Sequence, residues 1–128
     1  MRIVPQNKPY TVILGNSFKR YYPNFPDDDQ LKIAEFIHHI EHFGFDGLTG
    51  RNKASHNVPK DHPNWSERVK HAMDNNLWHY HIGIPNYELS ENGDYTSEYV
   101  LHYILGDDFI KIIEMSPHPP LILPDELN

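Results

Sequence analysis

The sequence predicts a single α+β domain over residues 1–128, with a small, mainly antiparallel β-sheet and a long helix packed on one face of it. Three observations predict this fold class. Three strand-like apolar segments follow one another in the last third of the chain, and an amphipathic helical segment precedes them. The length of 128 residues suffices for one hydrophobic core, and no internal repeat or domain boundary divides the chain.

The three strand candidates in the last third are residues 77–83 (LWHYHIG), 98–105 (EYVLHYIL) and 109–115 (FIKIIEM). The sequence Gly106-Asp107-Asp108 between the second and the third is typical of a tight hairpin. The third candidate ends where prolines follow, because proline cannot donate a backbone hydrogen bond to a neighbouring strand. We therefore expect these consecutive strands to pair side by side.

The first half of the chain supplies one further strand candidate and a long helix. Residues 9–14 (PYTVIL) predict a strand that ends at Gly15. From an acidic first turn at Asp27 to the stop at Gly44, apolar residues recur at three- and four-residue spacing, which predicts a helix with one apolar face. Residues 64–75 predict a short helix. The segments 17–26, 44–63 and 84–96 are expected to be connectors, and the second is a long loop of the kind that is often functional or mobile.

Composition and charge exclude several classes of function. The chain contains no cysteine, which excludes disulfides and thiolate metal sites and suits a cytoplasmic protein. No apolar segment is long enough to span a membrane, and residues 1–5 are too short and polar for a signal peptide. The formal net charge of −7 argues against binding of nucleic acid through the overall field. Residues 51–70 nevertheless carry five Lys or Arg against two Asp or Glu, and could present a local phosphate-binding patch.

Histidines mark the first of the three strands. His79 and His81 are two residues apart, so both imidazoles leave the same face of a strand. If the three strands pair, His102 and His118 lie close to them. His102 alternates with Val100 and Ile104, and we therefore expect it to be a core histidine whose ring is hydrogen-bonded.

Several imidazoles in one patch suggest acid–base catalysis, because one neutral ring can accept a proton while a protonated ring donates one. Cleavage of RNA by its own 2′-hydroxyl needs such a base and acid, together with a cation beside phosphorus, and needs no metal. The candidate residues are His79, His81 and His118 for catalysis and Arg51, Lys53 and Arg68 for substrate binding.

Three other interpretations fit the same sequence. A His-x-His strand with a further histidine or carboxylate is a common way to hold a divalent metal ion, here His79, His81 and His118 with Glu98 or Glu114. The histidines could also be ordinary strand residues whose rings form local hydrogen bonds. The acidic charge, finally, suits a non-catalytic protein that neutralises a basic partner, as an antitoxin or immunity protein does.

The order of several short motifs resembles the YafO-type toxins of bacterial toxin–antitoxin modules, which are relatives of the RelE group of mRNA interferases. The similar motifs are Asp46-Gly47 with Gly50-Arg51-Asn52, Trp65 with Arg68, the His-x-His strand at residues 77–82, Thr96-Ser97-Glu98 with Leu101-His102-Tyr103, and Ile112-Ile113 with Ser116-Pro117-His118. Together they cover roughly residues 46–120.

The resemblance implies a RelE-like fold, in which helices pack on one face of a small curved antiparallel sheet and RNA is cut on the concave side. It also implies an endoribonuclease toxin that cleaves mRNA on the ribosome and is neutralised by a cognate antitoxin. Because the acid–base chemistry needs no metal, no cofactor is expected. Carried over by position, His79, His81 and His118 become catalytic or phosphate-contacting residues, and Arg51 becomes a phosphate ligand.

Overall fold

The computed structural model describes residues 3–56, 64–118, 122–124 and 126–128. The strands in these ranges are β1 (Thr11–Leu14), β2 (Asn52–Ala54), β3 (Leu77–His81), β4 (Glu88–Leu89), β5 (Tyr95–Thr96), β6 (Tyr99–Leu105) and β7 (Phe109–Pro117). The helices are α1 (Asn16–Tyr21), α2 (Asp27–Phe43) and α3 (Trp65–Asp74), and a 3-10 turn, Tyr22–Asn24, follows α1.

A five-stranded sheet in the order β1-β7-β6-β3-β2 forms the centre of the molecule. The central strand β6 pairs antiparallel with both β7 and β3, and β2 pairs antiparallel with the outer side of β3. Only the β1–β7 pair is parallel among the described strands, and β4 with β5 forms a separate two-stranded hairpin. The prediction of an α+β fold with a mainly antiparallel sheet is confirmed.

Helices α1 and α2 cover one face of this sheet. Ile33, Phe36 and Ile40 of α2 are buried and belong to one core cluster with Tyr80 and Tyr103 of the sheet. The ring of Phe36 stacks on that of Tyr80, with 4.7 Å between the ring centroids. The predicted apolar stripe of α2 therefore faces the sheet, and burial of this stripe is the main favourable contribution to packing on this side.

Helix α3 packs on the opposite face, so the expectation of helices on one face is wrong for this helix. Ala72 of α3 is fully buried together with Leu77 of β3, and Val69 and Ile104 pack against the same cluster. Side chains alternate along a strand, so Leu77 shares its face with His79. The apolar residues at this end of the sheet face that carries His79 are shielded from water by α3.

Three elements lie in segments for which the sequence predicts connectors: α1 in 17–26, β2 in 44–63 and the β4–β5 hairpin in 84–96. These elements are short and mostly polar, so they carry little periodic signal. The formation of β2 depends on its pairing with β3 rather than on a pattern in its own sequence. At Gly50, just before β2, an added Cβ would lie 1.9 Å from the carbonyl oxygen of His81. Only glycine permits the two backbones to approach so closely. The part of the predicted loop at 57–63 is outside the described residues.

The strand boundaries also shift. The first of the three predicted strands ends at His81 rather than at residue 83, and the third continues two residues beyond residue 115. Among the described residues, no helix combines the length and the apolar character that crossing a membrane requires.

Replacing Leu101 by alanine is expected to lower the free energy of unfolding by about 2–5 kcal/mol, because Leu101 is fully buried on the α2 side of β6 and its removal leaves a cavity. Urea denaturation followed by circular dichroism measures the change. Leu31→Ala is the matched control, since Leu31 is 59% exposed on α2 and should change stability by less than about 0.5 kcal/mol. Equal losses in the two variants would contradict the described core.

Candidate active site

Strands β3, β6 and β7 bring four histidines together on the face opposite to α2. His79 and His81 alternate along β3, and His79 lies directly opposite His102 of β6. His118 follows the end of β7, and its backbone N–H donates a 2.7 Å hydrogen bond to the carbonyl of Glu98, just before β6. This bond fixes His118 beside the two histidines of β3.

His79, His81 and His118 form a compact group, which we call the histidine cluster. One ring nitrogen from each residue lies within 4.8 Å of those of the other two. The ring centroids of His79 and His81 are each 5.4 Å from that of His118, and the ring of His81 is stacked on it. The three histidines that the sequence singles out for chemistry thus lie within reach of one small ligand.

Hydrogen bonds hold the inner two rings of the cluster. The Nδ1 atom of His79 lies 2.9 Å from the hydroxyl of the fully buried Ser55. The Nδ1 atom of His81 lies 2.9 Å from the carbonyl oxygen and 3.0 Å from the amide nitrogen of Ser97. Ser97 is itself fixed, because its hydroxyl accepts a hydrogen bond from the N–H of Gly83 and donates one to the carbonyl of Tyr99. Both Nδ1 atoms are therefore engaged in hydrogen bonds, and Nε2 of His81 carries the lone pair when Nδ1 is the protonated nitrogen.

His102 lies behind the histidine cluster and is buried as expected, but among the described residues only its Nε2 atom has a hydrogen-bond partner. It is fully buried, and its Nε2 atom lies 2.6 Å from the hydroxyl of Ser116 on β7. Burial lowers its pKa to about 4, with a smaller contribution from His118. It supports the cluster rather than facing the cleft described below.

The histidine cluster is uncharged at neutral pH. Burial, with smaller contributions from the neighbouring histidines and Lys53, lowers the pKa of His79 to about 3. Burial also lowers the pKa values of His81 and His118, and Arg51 adds to the effect on both. Neutral imidazoles offer lone pairs, so in this state each ring can accept a proton or bind a metal ion.

A cleft of about 530 Å³ opens beside the cluster. Its described lining consists of Arg51, His81, Glu88, Thr96, Ser97, Glu98, Pro117 and His118. His81 and His118 face this cleft, whereas His79 lies deeper and does not line it. A ligand in this cleft would contact His81 and His118.

Arg51 reaches the cleft from the segment just before β2 and is held by the β4–β5 hairpin. Its Nε and Nη2 atoms donate hydrogen bonds of 2.6 and 2.7 Å to the two carboxylate oxygens of Asp94, and Nη2 also donates to the hydroxyl of Ser90. The pKa of Asp94 is held well below its usual value by these bonds. A bidentate pair of this kind fixes the plane of the guanidinium.

The other charged candidates occupy different places. Lys53 lies on β2 opposite His79, is exposed, and is close enough to lower the pKa of His79 and His118. Arg68 lies on α3 and is not among the described residues that line the cleft. Glu98 lines the cleft, while Glu114 is exposed on β7 opposite His102; neither belongs to the group of three close ring nitrogens.

The sequence gives little sign of the residues that hold the site in place. Ser55, Ser90 and Asp94 come from segments predicted as connectors, and Asp94 is 43 residues away from the arginine that it binds. Ser97 does stand within the Thr96-Ser97-Glu98 motif, which was the one available signal.

Comparisons of this chain with protein-family models, with curated proteins and with solved structures found no match.

Proposed function

We propose that this protein is an endoribonuclease that cleaves single-stranded RNA by histidine acid–base catalysis without a metal ion. The observation that carries the proposal is the meeting of His81, His118 and the guanidinium of Arg51 in one cleft. When a 2′-hydroxyl attacks the adjacent phosphodiester, the reaction requires a base, an acid and a cation, and these three residues supply them.

His81 fits the role of the general base. If its Nδ1–H donates to the carbonyl of Ser97, the lone pair of Nε2 is free to accept the proton of the 2′-hydroxyl. The lowered pKa keeps this ring neutral at physiological pH. The attack of the 2′-oxygen on phosphorus then forms a 2′,3′-cyclic phosphate.

His118 fits the role of the general acid. It is the most accessible ring of the cluster and lines the cleft beside His81. A bound phosphodiester brings a negative charge next to the ring, which favours the protonated form over the neutral one. The proton is then delivered to the departing 5′-oxygen, whose bond to phosphorus breaks.

Arg51 and Lys53 supply the positive charge for the phosphate. Both lie close enough to the cluster to affect the pKa of His118. Arg51 donates to Asp94 through Nε and Nη2, which leaves Nη1 for a phosphate oxygen. Because the chain carries a net charge of −7 and Asp94 compensates the charge of Arg51, the phosphate is held by direct contact with these two side chains rather than by a positive field of the cleft.

In the cell, we propose mRNA on the ribosome as the substrate and a cognate antitoxin as the partner that restrains the protein. Both follow from the resemblance to YafO-type toxins in the motifs at residues 46–120. The histidine cluster, the cleft and Arg51 all fall within this part of the chain.

The variant His118→Ala is expected to abolish growth arrest on expression and to slow RNA cleavage by about 10²–10⁴-fold, because it removes the proton donor. Inducible expression, with growth and mRNA integrity followed together, measures the effect, and circular dichroism checks the fold. His38→Ala is the matched control, since His38 is an exposed histidine on α2. Undiminished arrest by the His118 variant would remove this residue from the mechanism.

Chelation separates this mechanism from the metal-dependent alternative. Cleavage by purified protein should persist in EDTA. Loss of cleavage in EDTA that is reversed by a divalent ion would establish the alternative instead. Expression without any effect on growth or mRNA would favour a neutralising binding protein.

A substrate with a good leaving group should distinguish the acid from the base. In uridine 3′-(4-nitrophenyl phosphate), the departing phenolate needs no proton, so His118→Ala should retain much of the wild-type rate on this ester while His81→Ala stays inactive. Release of nitrophenolate is followed by absorbance. The analogue with a 2′-O-methyl group should not react with any of these proteins, and its cleavage would exclude the 2′-hydroxyl as nucleophile.

The variant Arg51→Gln should lower kcat/KM for RNA by about 10²–10³-fold, because the transition state loses a charged hydrogen-bond donor. Asp94→Asn is the matched control, since it removes the same ion pair but retains the guanidinium group of Arg51. Steady-state kinetics and thermal unfolding are measured together for both variants. A purely structural role for Arg51 would give equal losses of activity in the two.

A further inference from the structure

We propose that ring nitrogens of His79, His81 and His118 form a site for one divalent transition-metal ion of the zinc class, and that the bound ion blocks RNA cleavage. The binding part stands on the geometry of the histidine cluster alone. The inhibition part rests on the proposed function.

The distances suit a metal ion. At a zinc–nitrogen bond length of about 2.0–2.1 Å, the nitrogens around a tetrahedral ion are about 3.3 Å apart. Nitrogens within 4.8 Å of one another can reach that spacing if each ring moves by less than about 1 Å. Rotation about the side-chain bonds of His118, the most accessible of the three, provides part of this movement.

The hydrogen bonds around the cluster match those of metal-binding histidines. Such residues use one ring nitrogen for the metal and donate the N–H of the other to a carbonyl or hydroxyl. The Nδ1 of His79 lies 2.9 Å from the hydroxyl of Ser55, and in the tautomer protonated at Nδ1 His81 donates to the carbonyl of Ser97 at 2.9 Å. In His118 the buried Nδ1 has no hydrogen-bond partner within the described parts of the chain, so its lone pair is available.

The donor set determines the class of metal ion. Three imidazoles without a thiolate or a carboxylate suit Zn²⁺, Co²⁺, Ni²⁺ or Cu²⁺ and do not suit Mg²⁺ or Ca²⁺, which require oxygen ligands. His81 and His118 line the cleft, so the fourth position of the ion would face the cleft and take water.

Metal binding and acid–base catalysis need the same lone pairs. An ion on His81 and His118 removes the acceptor for the 2′-hydroxyl proton and the ring that carries the proton to the leaving oxygen. The ion would therefore act as a competitive switch, and the protein would be active only when the concentration of free metal is low.

The test uses the full-length protein freed of metal by dialysis against EDTA. Titration with Co²⁺, followed by its visible absorption bands, and competition with Zn²⁺ measure stoichiometry and affinity. We expect one ion per chain. We expect binding to weaken more than tenfold in His118→Ala and His79→Ala, and by about 10–100-fold in Ser55→Ala. His38→Ala should bind as the wild type does. The affinity of His79→Ala is interpreted only if this variant remains folded. If it does not, the test relies on His118→Ala.

Cleavage of RNA is then measured against the concentration of Zn²⁺. At an RNA concentration well below KM, inhibition with a midpoint equal to the measured dissociation constant for Zn²⁺, reversed by EDTA, is the expected result. Absence of binding, or binding that the His118 variant does not weaken, overturns the site and leaves the nuclease proposal intact. Binding that stimulates cleavage overturns the switch and the metal-independent mechanism together. If the protein binds the metal ion but does not cleave RNA with or without it, the proposed function and the switch are overturned, while the metal site stands.

Discussion

The antiparallel pairing of β6 with β3 on one side and with β7 on the other is the constraint on which both the core and the site depend. Side chains alternate along each strand, so the register that directs Tyr80 and Leu101 towards α2 directs His79 and His102 to the opposite face. A slip of one residue would expose the core and bury the wrong face. The hydrophobic core therefore fixes the position of the histidine cluster, although no residue of the cluster packs on α2.

The sequence predicts those parts of the structure that local pattern specifies. The three C-terminal strands and α2 follow from periodicity, α3 follows from the cap-like sequence at its start, and alternation along β3 is enough to place His79 and His81 together. The strand β2 and the Arg51–Asp94 pair are different, because they depend on contacts between distant segments. Asn52-Lys53-Ala54 has no strand pattern, and the strand forms because β3 offers an edge for it to pair with. The same pairing of β2 with β3 positions Ser55 beside His79, so the local sequence does not reveal the role of this serine.

Burial explains why the cluster has a neutral resting state. A charged imidazole removed from water is costly, and three of them beside Arg51 and Lys53 would repel one another. The fold avoids this cost by keeping the rings neutral and by giving the two deepest ones hydrogen-bond partners at Nδ1. The acidic residues of the cleft, Glu88 and Glu98, are exposed and remain in contact with water.

A neutral cluster of this kind is poised between two types of ligand. An anion such as a phosphodiester stabilises the protonated form of the rings. A ring protonated in this way balances the negative charge of the anion and can act as a general acid. A transition-metal cation stabilises the same rings through their lone pairs and excludes the proton. In the structure the Arg51–Asp94 pair is internally compensated, so the resting cleft carries little net positive charge with which to repel a cation. The balance between the two ligands is then set by the chemistry of His81 and His118, which is why catalysis and metal binding are proposed to exclude each other here.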